Sequence, residues 1–279
     1  MKSQEHARAG VIRQEFAVPA GGPLLEIRTT HDSTHPYAPH SHRTFSVGLI
    51  LKGRTAFTCD GVRHVVGEND IVLIEPEAAH QCNPVEGKPR SYHMLHLEPG
   101  WCLEQAGATA EARSLRPRQR AVRDMAVALE LREAVEALGQ EQSGAERRLE
   151  RALAGLLRVW CLPVETGEGN ERFDAECRLL GLSQTGESPS VAEVARKTGM
   201  RREAFIRAFR RETGLSPGAY RHCARLEEGR RLLRQGRSIA ETAQLTGYAD
   251  QSHFHRMFVK FFSATPRQYR RGGLLSFKK

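Results

Sequence analysis

The histidines of this chain have the widest chemical reach of its side chains, and several are spaced so as to meet. His40 and His42 lie two apart in a stretch that reads as a strand, where alternate side chains share a face. His80 joins them from a second motif further along, and His96 alternates onto one face with Tyr92 and Met94 in YHMLHL. Neutral imidazoles that converge in a small barrel have three uses. They hydrogen-bond a polar effector, they hold a divalent metal such as Zn, Ni, Fe or Mn through His40, His42 and His80, or they bond within the barrel as structural groups. Tyr37, Ser46 and Tyr92 are candidate partners in the same effector pocket, while His31 and His35 read as loop residues. No arrangement of residues specifies turnover of a substrate, so the chain does not read as an enzyme.

The elements that must position these groups are short strands. Phe45–Leu51, Arg54–Thr58, Asp70–Ile74 and Tyr92–Leu97 are bounded by Gly, Pro, Asp or Asn, a pattern of sandwiches and small barrels. Helical periodicity is expected from Leu115 to Gly139 and from Ala145 to Trp160, as an antiparallel pair. That pair either covers the barrel or builds a dimer interface. Pro163 to Gly169 then reads as a linker.

The last third of the chain writes one unit twice. VAEVARKTGMRREAFIRAFRRETGLSPGAYR is answered by IAETAQLTGYADQSHFHRMFVKFFSATPRQYR, pairing Ala195 with Ala243, Gly199 with Gly247, Phe205 with Phe254, Phe209 with Phe258 and Tyr220 with Tyr269. Each copy opens on a serine with glutamate three residues on, Ser190/Glu193 and Ser238/Glu241, the signature of a capping box. A short helix, a glycine turn and a helix with aromatics at i, i+4 follow, which is a helix-turn-helix. The second turn is one residue longer. Opposite the aromatics lie Arg201, Arg202, Glu203, Arg207 and Arg210, then Gln251, Ser252, His253, His255 and Arg256. Charge agrees: from Glu171 onward there are 22 Lys and Arg against 11 Asp and Glu, while the whole chain nets +9, so the positive excess belongs to the repeats. Such an excess suits a phosphate-binding surface and points to double-stranded DNA.

Residues from about 174 to 271 resemble the DNA-binding domain of the AraC family of transcription regulators, most continuously through GRRLL, SIAETAQLTGYADQSHFHRMFVKFF and SATP. The resemblance implies two helix-turn-helix units joined by one long helix. By position, Arg202, Glu203, Ile206 and Arg207 face bases from the first unit, and Gln251, Ser252, His253 and Arg256 from the second, with Arg201 beside them. PHSHRTFSVGLILKG followed by GENDIVLIEPEAAHQCN resembles a cupin, the jelly-roll that senses effectors in many such regulators. The glutamate ligand of metal cupins falls at Ser46 here, a poor ligand, which leaves His96 as a substitute and puts a metalloenzyme at a distance.

The expected fold is therefore α+β in two domains. A cupin-like sensor spans 10–105, a helical pair 115–162, a linker 163–173 and an all-α tandem helix-turn-helix domain 174–273. The expected function is sequence-specific regulation, with family likeness favouring an activator that recruits RNA polymerase, works as a homodimer and answers a small-molecule effector. No cofactor is required. Nothing approaches eighteen consecutive apolar residues, and the N-terminus lacks the apolar run of a secretory signal. The 6 cysteines contain no C-x-x-C pair and suit reduced thiols, so a cytoplasmic protein without membrane contact is expected.

Overall fold

The computed structural model describes residues 13–17, 22–165, 180 and 189–272. Most of the expected linker, together with Cys177, lies outside the described residues.

Eight strands build the sensor: β1 (Arg13–Ala17), β2 (Leu24–Ser33), β3 (Phe45–Lys52), β4 (Thr55–Cys59), β5 (Val62–Val66), β6 (Ile71–Ile74), β7 (His80–Pro84) and β8 (Arg90–Leu97). With β10 (Ala121–Val122) they form a six-stranded sheet in the order β1-β2-β8-β3-β6-β10, facing a three-stranded sheet β5-β4-β7. Strand alternation gives the large sheet two buried faces. Phe45, Val47 and Leu49 of β3 and Leu95 and Leu97 of β8 join a core shared with helices. Ile50, Tyr92 and Met94 turn the other way, into the barrel with Phe57, Val72 and Ile74. β3 and β8 are buried almost throughout; β3 reads accordingly as an apolar run, whereas β8 buries Arg90, Ser91, His93 and His96 among its apolar residues. Gly48 is needed between them, because a Cβ there would stand 2.5 Å from Val72 and 3.1 Å from Met94.

The outer face is covered by α2 (Met125–Gly139) and α3 (Ala145–Trp160), an apolar pair that supplies Leu131, Leu138, Leu149, Leu153 and Leu156 to the shared core. Helix does not begin at Leu115 as expected. A short α1 (Pro99–Gln105) precedes it, and Leu115 lies in β9 (Ala112–Pro117), paired with β11 (Cys161–Glu165). Alternating burial of ARSLRP is a strand pattern that the helical reading of the following stretch absorbed. The segment from Pro163 to Glu165, expected as linker, is thus the end of a strand.

The C-terminal part is helical: α4 (Val191–Lys197), α5 (Arg202–Thr213), the long α6 (Pro217–Arg234), α7 (Ile239–Leu245), α8 (Gln251–Phe262) and α9 (Pro266–Gly272). Gly199 and Gly247 each adopt φ +72° between the helices of their unit, a left-handed conformation that costs glycine little. Ser190 and Glu193 close a reciprocal capping box. The second copy does not: Ser238 accepts from the Glu241 amide, but the Glu241 carboxylate turns to Arg237 at 2.6 Å. The first unit has its own core of Leu180, Val194, Ala195, Phe205, Ala208 and Phe209. The second unit's core of Leu226, Phe254, Phe258, Phe262 and Tyr269 takes in Phe16 of β1.

Candidate effector pocket and nucleic-acid interface

The histidines do converge, by a route other than strand alternation. His40 sits in an isolated bridge with His80, each amide donating to the other's carbonyl at 2.9 and 2.8 Å, and His42 lies in the following loop. Ring centroids are 4.3 Å apart for His40 and His80, 4.8 Å for His42 and His80, and 5.1 Å for His42 and His96. Ser46 pairs with His96 across β3 and β8, and its hydroxyl lies 2.8 Å from His96 Nδ1. Tyr37 and Tyr92 meet hydroxyl to hydroxyl at the back of the pocket. His35 is a loop residue as expected, whereas His31 belongs to β2.

All four rings are buried, and burial first of all holds them below the usual histidine range. For His40 and His42 the neighbouring His80 adds to the effect, and for His96 Arg230 and Arg28 do. His80 is brought down to about 4. The rings are therefore neutral at pH 7. His40 Nδ1 lies 2.8 Å from the Ala38 carbonyl and His80 Nδ1 2.9 Å from that of Ala78. A carbonyl only accepts, so both Nδ1 atoms carry the proton and both Nε2 atoms are left as bare acceptors. Tautomers of this kind also suit metal ligation. Among the described residues, however, no three His, Cys, Asp or Glu side chains form a group that could hold a metal ion. His40, His42 and His80 approach as tilted and edge-on rings, at interplanar angles of 56°, 54° and 70°.

Several side chains of this site escaped the sequence reading. Glu26 and Arg28 share one face of β2 and are buried, while Ile27 between them joins the core under α2 and α3. The Glu26 carboxylate accepts from Arg230 at 2.7 Å and from the Tyr269 hydroxyl at 2.6 Å. Burial alone would raise this carboxyl. Arg230, the Tyr269 hydroxyl and Arg234 outweigh it and hold the group below its usual value. Arg28 donates to the Phe262 carbonyl at 3.2 Å, and the Ala38 amide to the Lys260 carbonyl at 3.2 Å. Phe262, the last residue of α8, thereby closes the barrel mouth, and the space left inside is about 20 Å³. A charged pair at positions 26 and 28, alternating with the apolar Leu25 and Ile27, is the signal that could have pointed to this seam.

In the helical domain, Arg201, Arg202, Glu203 and Arg207 are exposed at the start of α5, and Ile206 is half-buried. Gln251, Ser252 and Arg256 are exposed on α8. His253 is half-buried, its ring 5.2 Å from that of Tyr248. Asp250 caps α8 by accepting from the His253 amide at 2.7 Å. This aspartate uses the extra residue of the second turn, and so the two second helices begin differently. Each unit thus presents the polar face of its second helix to solvent, as a helix bound for a major groove must.

A β-sandwich domain with a small polar pocket, joined to two helix-turn-helix units, is the architecture of a DNA-binding regulator with a ligand-binding domain. Residues 22–157 match the profile of the AraC-like ligand binding domain, and residues 194–272 that of a helix-turn-helix domain. The transcriptional activator RhaS of Pectobacterium carotovorum is 30% identical over 84% of this chain and 88% of its own length. The chain belongs to the AraC family of transcription regulators. An uncharacterized helix-turn-helix regulator, YbfI of Bacillus subtilis, is 23% identical over 77% of this chain and 80% of its own. A structure of apo ToxT from Vibrio cholerae superposes with a TM-score of 0.60 over 90% of this chain and 98% of that one, at 13% identity. A second ToxT structure, with an unsaturated fatty acid bound, gives 0.54 at 12% identity over 93% and 94% of the two chains. At such identities these superpositions speak for the fold alone. Among the described residues no helix is long and apolar enough to cross a membrane.

Proposed function

We propose that this regulator is a cytoplasmic, sequence-specific transcription activator whose DNA affinity is set by a small effector bound in the barrel. The observation that carries this reading is the seam between barrel and second unit. The pocket of neutral histidines is lined by Phe262, the last residue of the helix that carries Gln251, Ser252 and Arg256. An effector that enters the pocket must therefore act on a DNA-facing helix, and a ligand with different affinity for the docked and undocked arrangements shifts their balance. Arg202, Glu203, Ile206 and Arg207 read bases from α5, and Gln251, Ser252, His253 and Arg256 from α8, in successive major grooves about 34 Å apart. RNA polymerase is the protein partner. A homodimer forms through α2, where Met125 and Leu129 lie one turn apart and are 57% and 44% exposed.

Selection of bound sequences from random duplexes by the full chain tests the DNA reading. The expected outcome is a site with two unlike halves one helical turn apart. A single short motif, or no enrichment, would overturn it.

A further inference from the structure

The pocket has a charge to place. Arg28 is 6% exposed and its Nε makes no hydrogen bond; its one hydrogen bond runs from Nη1 to the Phe262 carbonyl. Glu26, two residues away on the same strand, is turned to Arg230 and Tyr269. Arg90, fully buried behind the Tyr37–Tyr92 pair, gives its hydrogen bonds to the carbonyls of Ser33, His35 and Cys82. Among the described residues, neither Arg28 nor Arg90 makes a direct ion pair with a carboxylate; Tyr37, Tyr92 and Glu26 favour the charge of Arg28 only from a distance. A buried guanidinium with open donors is a seat for an anion, which would pair with it directly. Cation–π contacts only soften the burial: Arg28 stands 5.5 Å from the Tyr37 ring and Arg90 5.5 Å from that of Tyr92.

The histidines ask for something else. With Nδ1 committed to a backbone carbonyl, His40 and His80 offer acceptors at Nε2, and an acceptor wants a hydroxyl or N–H. A ligand for this pocket therefore combines an anionic group for Arg28 with hydroxyl donors for the imidazoles. Room is the remaining constraint. About 20 Å³ holds no more than a water molecule, and the wall that can leave is Phe262. Its carbonyl occupies Arg28, and its ring lies 5.0 Å under the Arg230 guanidinium at the edge of the helical domain.

We propose that the barrel takes a small hydroxy-carboxylate, its carboxylate on Arg28 and its hydroxyls on His40 and His80, and that this ligand replaces Phe262 and so undocks the second helix-turn-helix. The proposal rests on the barrel being the effector domain. Phe262 stands in the space that the ligand needs and holds Arg28 Nη1 through its carbonyl, so docking and binding exclude each other, and the coupling is reciprocal.

Binding of gluconate and glucuronate to the full chain, with glucitol and glucose as uncharged counterparts, tests this by calorimetry and thermal shift. The acids are expected to bind and the uncharged counterparts not. Arg28→Gln should weaken the acids by roughly tenfold or more, the scale of a charged hydrogen bond. Phe262→Ala, which trims the lid, should tighten them. Equal binding of acids and uncharged counterparts, or of acids to wild type and Arg28→Gln, overturns the proposal, as does absence of acid binding to Phe262→Ala. A dialysable cell extract added to the chain on its upstream DNA separates this from failure of the effector reading. If the extract shifts DNA affinity equally in wild type and Arg28→Gln, the barrel senses an effector and the anion seat is wrong. If it shifts neither, both readings fall.

Discussion

The two helix-turn-helix units share a plan and differ in what they touch. The first encloses its own core, with Phe205 and Phe209 against Val194 and Ala195 and no barrel residue in the cluster. The second is completed by the sensor: Phe16 of β1 packs edge-on against Tyr269 at 5.0 Å, and Ala38 and Ala79 lie against the same cluster. Duplicated sequence has thus been put to unequal use. One unit encloses its core apart from the sensor and meets it at an edge, where Gly214 lies against Ala79, while the other shares its core and its ion pairs with the barrel. The control proposed above would have a short physical path to the second unit through Arg28, Phe262 and α8.

The largest effect that would break this asymmetry is at Glu26. Replacement by glutamine takes away the buried carboxylate of Arg230 and leaves it only Glu227, at 2.8 Å on the more exposed side, so the loss should approach from below the roughly 3–5 kcal/mol of a broken buried pair. Denaturation of the full chain should show that loss, and hydrogen exchange should locate it in β1, β2, α6 and α9 while α4 and α5 keep their protection. Equal loosening of both units would mean that the seam does not discriminate between them. Acidification comes next. The folded barrel keeps His80 neutral down to about pH 4, whereas the unfolded chain takes up a proton near the ordinary value of 6.5. More protons are then bound in the unfolded state, so stability is full above 6.5 and falls as pH drops. His80 alone contributes a loss of about 2 kcal/mol between pH 7 and pH 5. His40, His42 and His96 are displaced in the same direction and add to it. Melting at a series of pH values, repeated with His80→Gln, measures the slope, which the variant should flatten.

The repeat was legible because both copies keep the same local rules: an N-cap serine, a glycine at positive φ and two aromatics one turn apart. Local rules are what a sequence displays. The barrel strands showed for the same reason, although β9 was lost into a helical reading because LRPRQRAV precedes a real helix start at Asp124. The pocket was half legible. His40, His42, His80, His96, Tyr37 and Tyr92 are polar groups in apolar surroundings and attract attention. Arg28, Arg230 and Phe262 did not, because their meaning lies in contact between residues 234 positions apart, as from Arg28 to Phe262. The half-built capping box of α7 was hidden for a similar reason. Whether Glu241 turns to the Ser238 amide or to Arg237 is a choice between two near neighbours that spacing does not decide.

On DNA the two units should separate by sequence position. If Arg207 and Arg256 each read a base edge, alanine at either costs about 1–3 kcal/mol on the selected site and relaxes preference only in its own half. Anisotropy titrations against the site, each half-site mutant and a scrambled duplex check this. An equal loss on all three duplexes would make that arginine a phosphate contact and leave the halves unassigned.

The smallest expected difference lies at the caps, and it isolates the one local rule on which the copies diverge. Ser190 accepts from the Glu193 amide at 3.2 Å while Glu193 accepts from the Ser190 amide at 2.6 Å, and the return bond holds the Glu193 carboxyl below its usual range. Ser238 makes only the outward bond, at 3.1 Å. Serine to alanine should cost about 1 kcal/mol at either site. The partners should then behave differently. Glu193→Gln retains an acceptor for the Ser190 amide and should be mild, whereas Glu193→Ala should fray α4. Glu241→Ala removes only an exposed ion pair with Arg237, which salt screens, and should scarcely register. Amide exchange at the first turns of α4 and α7 reads each effect where it arises. If Glu241→Ala frayed α7 as much as Glu193→Ala frays α4, the second box would be closed in solution, and the difference between the units would lie in the barrel seam alone.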